Sequence, residues 1–325
     1  MTTLSPADGE ERFREAIRTL NTGEYAADLA LGSLLASVQG NQRYEYIARE
    51  ETAPRSGEMD LHLEGVEVIG HSANAAAFGE FVKKMADSVK IITRERAGRK
   101  RMVSDLLVEP GPGSVRVIFR TPDPVPLGGL DEDDRQRVWS DPNSQSVALQ
   151  QVAQLLASAE PGSPDETSVD GLVETLPPRA RATLVAAVKS ITSQDWQIRG
   201  EFRQRGLGIQ PIKVSRAGAA RLKIALQVRE REHTPWTATG VLDGHRRARS
   251  LCWFIEDGTG REVTAVVPTP ELMVEVATLS QDEAHRVIAS FTVITTHGPG
   301  AGDAGSKSYI LESVRAAPVD LKLGE

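Results

Sequence analysis

The chain has 325 residues, of which 40% are hydrophobic and 26% are charged, and its formal net charge at pH 7 is −7. The length favours two globular domains, and the composition is that of a folded rather than a disordered protein. The negative net charge argues against a histone-like protein that binds nucleic acid over its whole surface, but it still allows local basic patches.

The sequence carries no recognisable signal for membrane insertion or export. No apolar run approaches the roughly 20 residues that a membrane helix needs. The first residues, Met1–Glu15, are polar and acidic and lack the apolar centre of a secretory signal. We therefore expect a cytoplasmic protein that does not bind a membrane.

The single cysteine, Cys252, excludes an intramolecular disulfide and a zinc site built on paired cysteines. It lies in the apolar run Leu251–Ile255, where a small buried side chain is one interpretation and a catalytic nucleophile is the other. The nucleophile hypothesis needs a neighbouring histidine, and the six histidines show no spacing typical of catalytic or metal sites. We expect no catalytic residue, no metal and no cofactor.

Two helices and a strand are predicted at the N-terminus. Apolar residues recur at helical spacing over Ala7–Leu20 and again over Tyr25–Val38. The segment Arg43–Arg49 is rich in Tyr and Ile and is predicted to form a strand.

The next segment changes its hydrophobic period twice. Asp60–Ile69 alternates apolar and polar residues as a half-buried strand does, with Gly65 at a bulge. Ser72–Thr93 has the spacing of an amphipathic helix, and Met102–Thr121 is predicted to be a hairpin. Residues 1–125 are thus predicted to form an N-terminal α+β domain of antiparallel strands with packed helices.

Residues 126–195 are predicted to form an acidic connector and a helical segment. The acidic run Asp131–Asp134 is typical of a solvated loop, and the sequence indicates no further ligands that would make it a metal site. Helices are predicted over Asn143–Ala159 and, after two prolines, over Ala180–Thr192.

The segment Gln197–Arg231 carries nine lysines and arginines against two glutamates. Such a local positive charge can bind an anionic partner. The alternative is that these lysines and arginines only form the solvated face of a sheet. Because Leu222–Val228 alternates apolar and polar residues, a strand is predicted there. The candidate partner-binding residues in this segment are Arg199, Arg203, Arg205, Arg221 and Lys223.

The C-terminal segment is predicted to contain three strands, a helix and two more strands. The strands are Trp236–Leu242, Leu251–Glu256, Val263–Val267, Val287–Ile294 and Tyr309–Val314, and the helix is Pro270–Leu279. The second and third strands flank Asp257-Gly258-Thr259-Gly260, whose glycines permit a tight hairpin.

This order resembles the OB-fold superfamily, a small Greek-key barrel of five strands. The resemblance rests on Gly240 in the first strand, the Phe254–Gly260 hairpin, the helix after Pro270 and Tyr309-Ile310-Leu311 in the last strand. The predicted fold class is therefore α+β, with residues 196–325 forming a basic strand region and a C-terminal five-stranded OB-like β-barrel.

The resemblance also implies a binding face. OB-folds bind oligonucleotides and other extended ligands on their second and third strands, between the first and the last loop. The corresponding candidates are His245, Arg246, Arg247 and Arg249 in the first loop, Trp253 on the second strand, and His297 and Lys307 around the last loop.

Two functional hypotheses follow, and charge decides their order. From Pro235 to the C-terminus, eight lysines and arginines stand against twelve acidic residues, so the barrel would repel nucleic acid outside these loops. We first expect a non-enzymatic interaction or scaffold component of a bacterial multiprotein system, with both domains docking a protein partner. The alternative is an accessory protein that binds single-stranded or structured nucleic acid. An enzyme whose site assembles from distant segments ranks third, and the oligomeric state stays open.

Overall fold

The computed structural model describes residues 6–21, 25–54, 56–65, 73–96, 106–110, 115–122, 144–162, 169–227, 231–281, 286–296 and 306–318. The helices are α1 (Pro6–Leu20), α2 (Tyr25–Ser37), α3 (Gln42–Glu51), α4 (Ala75–Arg96), α5 (Ser144–Ala157), α6 (Val169–Glu174), α7 (Pro178–Ser193), α8 (Arg216–Gln227) and α9 (Pro270–Leu279). The strands are β1 (Glu58–Glu64), β2 (Leu107–Pro110), β3 (Val115–Arg120), β4 (Gln197–Gln204), β5 (Gly208–Val214), β6 (Glu232–Arg246), β7 (Leu251–Glu256), β8 (Glu262–Val266), β9 (Arg286–Thr296) and β10 (Ser306–Ala316). A 3-10 turn spans Arg247–Arg249.

Strand β1 lies at the centre of a five-stranded antiparallel sheet, in the order β2-β3-β1-β4-β5. Alternate residues of β1, namely Met59, Leu61 and Leu63, point to one face and are fully buried. Helices α4, α5, α7 and α8 pack on that face and supply the rest of its core. We call this sheet with its helices the body.

The second set of five strands closes on itself in the order β10-β8-β7-β6-β9. Neighbouring strands are antiparallel except for β8 and β10, where Tyr309 lies opposite Ala265 in parallel register. Helix α9 connects β8 to β9 and buries Leu272, Met273 and Val276 against the interior of these strands. The prediction of a mixed helix and sheet fold is confirmed, with two sheets of five strands each.

The outer side of the barrel strands packs against the body. Leu251, Val266 and Ile310 belong to the same hydrophobic core as the first sheet. Helix α6, which the sequence did not predict, approaches β8 at Gly171, where an added Cβ would lie 3.1 Å from Val266 Cγ2. A side chain at this position would push α6 away from the barrel, so glycine permits the close contact.

Helices α1, α2 and α3 form a separate unit with a small core of their own. This core contains Phe13, Ile17, Leu31 and Ile47. The buried carboxylate of Glu51 accepts hydrogen bonds from the guanidinium groups of Arg14 and Arg18 on α1. An ion pair between Arg49 and Glu201 joins this unit to β4.

The predicted strand at Arg43–Arg49 is wrong, because these residues lie in α3. Asn41 caps this helix, its side-chain oxygen accepting from the backbone N–H groups of Arg43 and Tyr44 at 3.2 and 3.4 Å. Asparagine at an N-cap satisfies backbone donors that would otherwise lack a partner, and this outweighs the weak strand preference of Tyr and Ile.

The predicted strand at Leu222–Val228 is also wrong, since residues 222–227 lie in α8. Leu222, Ala225 and Leu226 are buried on one side of this helix, at spacings of three and four residues. The alanines that precede Leu222 favour helix. Leu222 and Leu226, which fit an alternating pattern, are equally four residues apart on one side of a helix. The two strands of the basic segment belong to the body rather than to the barrel, since β4 pairs with β1 and β5 pairs with β4.

Several sequence predictions fall wholly or partly outside the described residues. These are the C-terminal part of the strand predicted at Asp60–Ile69, the turn at residues 111–114 and the acidic connector. The division of the chain at residues 125 and 195 stays a prediction.

Gly200 permits the close approach of β4 to β1. A Cβ added there would lie 1.9 Å from the carbonyl oxygen of Asp60. We expect Gly200→Ala to lower the free energy of unfolding by about 1–3 kcal/mol, because the strands must separate to relieve the overlap. Urea denaturation monitored by circular dichroism measures this change.

Gly79→Ala is the control, because nothing lies within 4 Å of the position of its added Cβ in α4. It should leave stability unchanged or raise it by about 0.5–1 kcal/mol. Equal destabilisation by both substitutions would contradict the assignment of Gly200 as a close-contact position.

Candidate functional site

The first loop of the barrel is fixed against helix α5 by two glutamines. Gln150 Nε2 donates to the carbonyl oxygen of Arg247 at 2.9 Å, and Gln154 Nε2 donates to Ala248 O at 3.2 Å and to Ser250 Oγ at 2.9 Å. Ser250 ends the 3-10 turn with a φ of +47°. These bonds use two carbonyl groups and one serine hydroxyl of the loop, and they do not involve the side chains of Arg246 and Arg247.

Two of the predicted loop arginines and the predicted tryptophan lie together. Arg246 and Arg247 are exposed, and the guanidinium carbon of Arg246 lies 5.7 Å from the centre of the half-buried Trp253 ring. Strand β5 of the body contacts the 3-10 turn that contains Arg247 and Arg249. We call Arg246, Arg247 and Trp253 the loop site.

His245 adds no charge to the loop site near neutral pH. Its Nδ1 lies 3.0 Å from Ser280 Oγ, and burial together with the nearby Arg247 lowers the pKa of the imidazole. The neutral form therefore dominates, and His245 connects β6 to the residue that follows α9.

The candidates around the last loop are placed differently. Lys307 is exposed on β10 opposite Thr295, which in turn lies opposite Glu232 at the start of β6. Arg246 is the last residue of β6, so the register puts Lys307 at the other end of this strand. His297 lies outside the described residues.

The basic candidates in the body mostly contact acidic or carbonyl groups. Arg199 lies 3.3 Å from a carboxylate oxygen of Glu64, and Arg203 Nε donates to Glu58 at 2.6 Å. Arg221 Nη1 donates to the carbonyl oxygen of Ser158 at 3.5 Å, and Lys223 is half-buried on α8. For Arg205, it is the backbone N–H that donates to Pro54 O, at 2.9 Å. Much of the positive charge of this segment therefore serves contacts within the body rather than a binding surface.

Glu58 shows why these arginines are needed in the sheet. Its carboxylate is only 1% exposed and accepts from Arg120 Nε at 2.7 Å and Arg203 Nε at 2.6 Å, on the two neighbouring strands. A buried carboxylate is costly unless it is paired and hydrogen-bonded. Arg203 thus stabilises the sheet, and its side chain is not a free binding group.

Helix α2 presents an apolar surface that the sequence did not single out. Leu31 is buried in the small N-terminal core, whereas Leu29 is 60% exposed. The exposed residues around Leu29 are small, namely Ala26, Ala30, Gly32, Ser33 and Ala36. We call these six residues the α2 face. The uniform hydrophobicity of Tyr25–Val38 was a signal for it, because a helix that is apolar all round needs burial on more than one side.

Within the part of the chain that the structure describes, no three His, Cys, Asp or Glu side chains come together as a metal site. An enclosed gap between α4, α5, α7 and α8 is lined only by apolar side chains such as Met85, Leu156 and Leu222. Such a gap offers no polar group to orient a substrate. None of the described helices combines the length and hydrophobicity needed to cross a bilayer.

The chain was compared with protein-family models, curated proteins and solved structures, and none of them matches.

Cys252 lies inside the barrel core, and burial raises the pKa of its thiol to about 12. The thiolate, which is the reactive form, is therefore scarce at mildly alkaline pH. We expect a chromogenic aromatic disulfide to leave the native protein unmodified and to modify one thiol per chain in denaturing urea. Rapid reaction of the native protein would contradict the buried position of Cys252.

Proposed function

We propose that this chain is a non-enzymatic interaction component of a bacterial multiprotein assembly. The observation that supports this most is the α2 face, an apolar helix surface that is exposed among the described residues. Monomeric soluble proteins rarely expose contiguous apolar patches larger than a few hundred Å², and larger ones mark interaction sites. Tyr46 on α3 of the same unit is also exposed, at 53%.

We propose a second copy of this chain as the occupant of the α2 face. The sequence of α2 contains a single charged residue, Asp28, so a strongly charged partner surface would lose hydration there without compensation. The face carries both a large and a bare position, as a two-fold contact needs. In a two-fold pair, Leu29 of one copy can pack on the bare backbone of Gly32 in the other, where nothing lies within 4 Å of the Cβ position.

Leu29→Glu tests this surface. The wild-type protein should sediment as a dimer, and the variant should sediment as a monomer, because a glutamate in an apolar interface loses its hydration. Analytical ultracentrifugation over a concentration series measures the difference.

Ile224→Glu on α8 is the matched control, because Ile224 is 65% exposed but its helix packs in the body and not in the α1–α3 unit. It should remain dimeric. A monomeric wild-type protein, or equal dissociation of both variants, would contradict the proposal.

We also propose that the C-terminal barrel is an OB-fold. Support comes from the closed strand order β6-β7-β8-β10-β9 and from helix α9 between the third and fourth strands. The usual ligand face of such a barrel is partly covered here, since Leu251 on its second strand and Val266 on its third are buried in the core of the body. The loop site lies beside this covered region.

A second candidate function is nucleic-acid binding, and the loop site supports it. Arg246 above the Trp253 ring combines a positive charge with an aromatic side chain, the two groups that hold single strands. The contact between the 3-10 turn and β5 places part of the basic segment beside this loop. The acidic barrel and the paired arginines of the sheet keep this candidate second.

Charge reversal of the loop site tests the nucleic-acid candidate. Arg246→Glu/Arg247→Glu should weaken binding of a fluorescent oligothymidylate by roughly tenfold or more at low salt, because phosphate contacts are lost. Fluorescence anisotropy measures the affinity.

Arg179→Glu/Arg315→Glu is the control, because both residues are exposed, both lie outside the basic segment and the net charge of the chain changes equally. It should bind the oligonucleotide as the wild type does. Absence of wild-type binding, or equal loss in both double variants, would contradict a specific role for the loop site.

A further inference from the structure

Four aromatic rings from four strands form a continuous cluster inside the barrel. Trp236 stacks on Phe291 with centroids 4.9 Å apart, and it meets Phe254 and Tyr309 edge-on at 6.1 and 5.8 Å. Phe254 and Phe291 are almost fully buried, whereas Trp236 is half-buried. The cluster therefore reaches the surface at Trp236.

Arg261 lies over the exposed part of this cluster. Its guanidinium carbon is 5.4 Å from the ring centre of Trp236 and 5.4 Å from that of Tyr309, and its Nη2 donates to the Tyr309 hydroxyl. Among the described residues, no carboxylate forms an ion pair with this guanidinium. Two rings that face one cation are the arrangement with which proteins recognise guanidinium and alkylammonium groups.

The side chain of Arg261 is exposed and lies at the edge of the aromatic cluster. It follows the hairpin turn, where Gly258 and Gly260 have φ values of +80° and +65°. Cation–π contacts at exposed sites are weak, so another cation can replace that of Arg261 at little cost.

The charge of the barrel favours a cationic ligand over an anionic one. Twelve acidic residues stand against eight lysines and arginines from Pro235 onward, and Glu262, next to Arg261, is exposed. A negative surface raises the local concentration of cations and disfavours the phosphates of a nucleotide.

We propose that Trp236 and Tyr309 form a binding site for an arginine or alkylammonium side chain of a partner protein, and that Arg261 is an internal competitor for this site. The inference rests on the proposed interaction function and specifies the chemistry of one partner group. Because the site accepts a ligand only while Arg261 is displaced, the apparent affinity of the wild-type protein is reduced by the fraction of chains in which the site is open.

The test is a titration of Arg261→Ala with N-acetylarginine methylamide. The chain has four tryptophans, so labelling the indole nitrogens gives four NMR signals, and the Trp236 signal reports on the site. We expect the variant to bind the probe about two- to fivefold more tightly than the wild type, since the cation–π contact of its internal competitor is gone. Arg261→Lys retains a cation and should behave like the wild type.

Two controls separate recognition of the cation from other effects. N-acetylcitrulline methylamide has the same shape without the charge and should not bind, and Arg261→Ala/Trp236→Leu should lose binding of the arginine probe. Arg261→Met, which keeps an apolar stem over the rings, replaces Arg261→Ala if the latter fails to fold.

Equal affinity of the wild type and Arg261→Ala, or equal binding of the charged and neutral probes, overturns the proposal. Preferential binding of adenosine monophosphate to Arg261→Ala also overturns it, because the site would then select nucleotides. If the titration fails while the wild-type chain still dimerises through the α2 face, only this inference falls and the proposed function stands.

Discussion

A buried guanidinium group holds the barrel to the body. The side chain of Arg231, immediately before β6, is 2% exposed. It donates to Asp170 at 3.0 Å and Glu174 at 2.6 Å on α6, and to the carbonyl oxygen of Ala225 on α8 at 2.6 Å. Glu174 also accepts from Arg181 on α7. The residue that precedes the first barrel strand is thus joined, directly or through Glu174, to α6, α7 and α8. Each buried charge among these residues is compensated by its ion-pair partners.

The contacts of Arg231 determine how the barrel, with the loop site and the Arg261 site, is oriented on the body. With Arg231 in place, α6 can approach β8 at Gly171, and Gln150 and Gln154 can hold the first barrel loop against α5. The two proposed sites on the barrel therefore have fixed positions relative to the body, whereas the α2 face belongs to the N-terminal unit.

The sequence predicted elements whose signal is local and failed where distant residues decide. Strongly periodic segments such as α4, α7 and the barrel strands were recognised, because the repeat of apolar residues reports directly on burial. The strand predicted at Arg43–Arg49 failed because Asn41 and the contacts of Glu51 with α1 favour helix. The arginines of the basic segment were grouped by charge alone, since Glu58, the partner of Arg203, lies 145 residues away in sequence. The cluster around Trp236 was missed for the same reason, as its rings come from four separate strands.

Differential scanning calorimetry of the wild type and Arg231→Met tests directly whether the barrel and the body fold as one unit through this junction. We expect a single transition for the wild type, with equal calorimetric and van't Hoff enthalpies. Removing one partner of a buried ion pair should cost about 3–5 kcal/mol in Arg231→Met, lowering the transition temperature and separating the barrel from the body. Arg216→Met, which removes an exposed arginine, should leave the single transition in place. Two separate transitions in the wild type, or an unchanged transition in Arg231→Met, would contradict the claim that Arg231 fixes the barrel to the body.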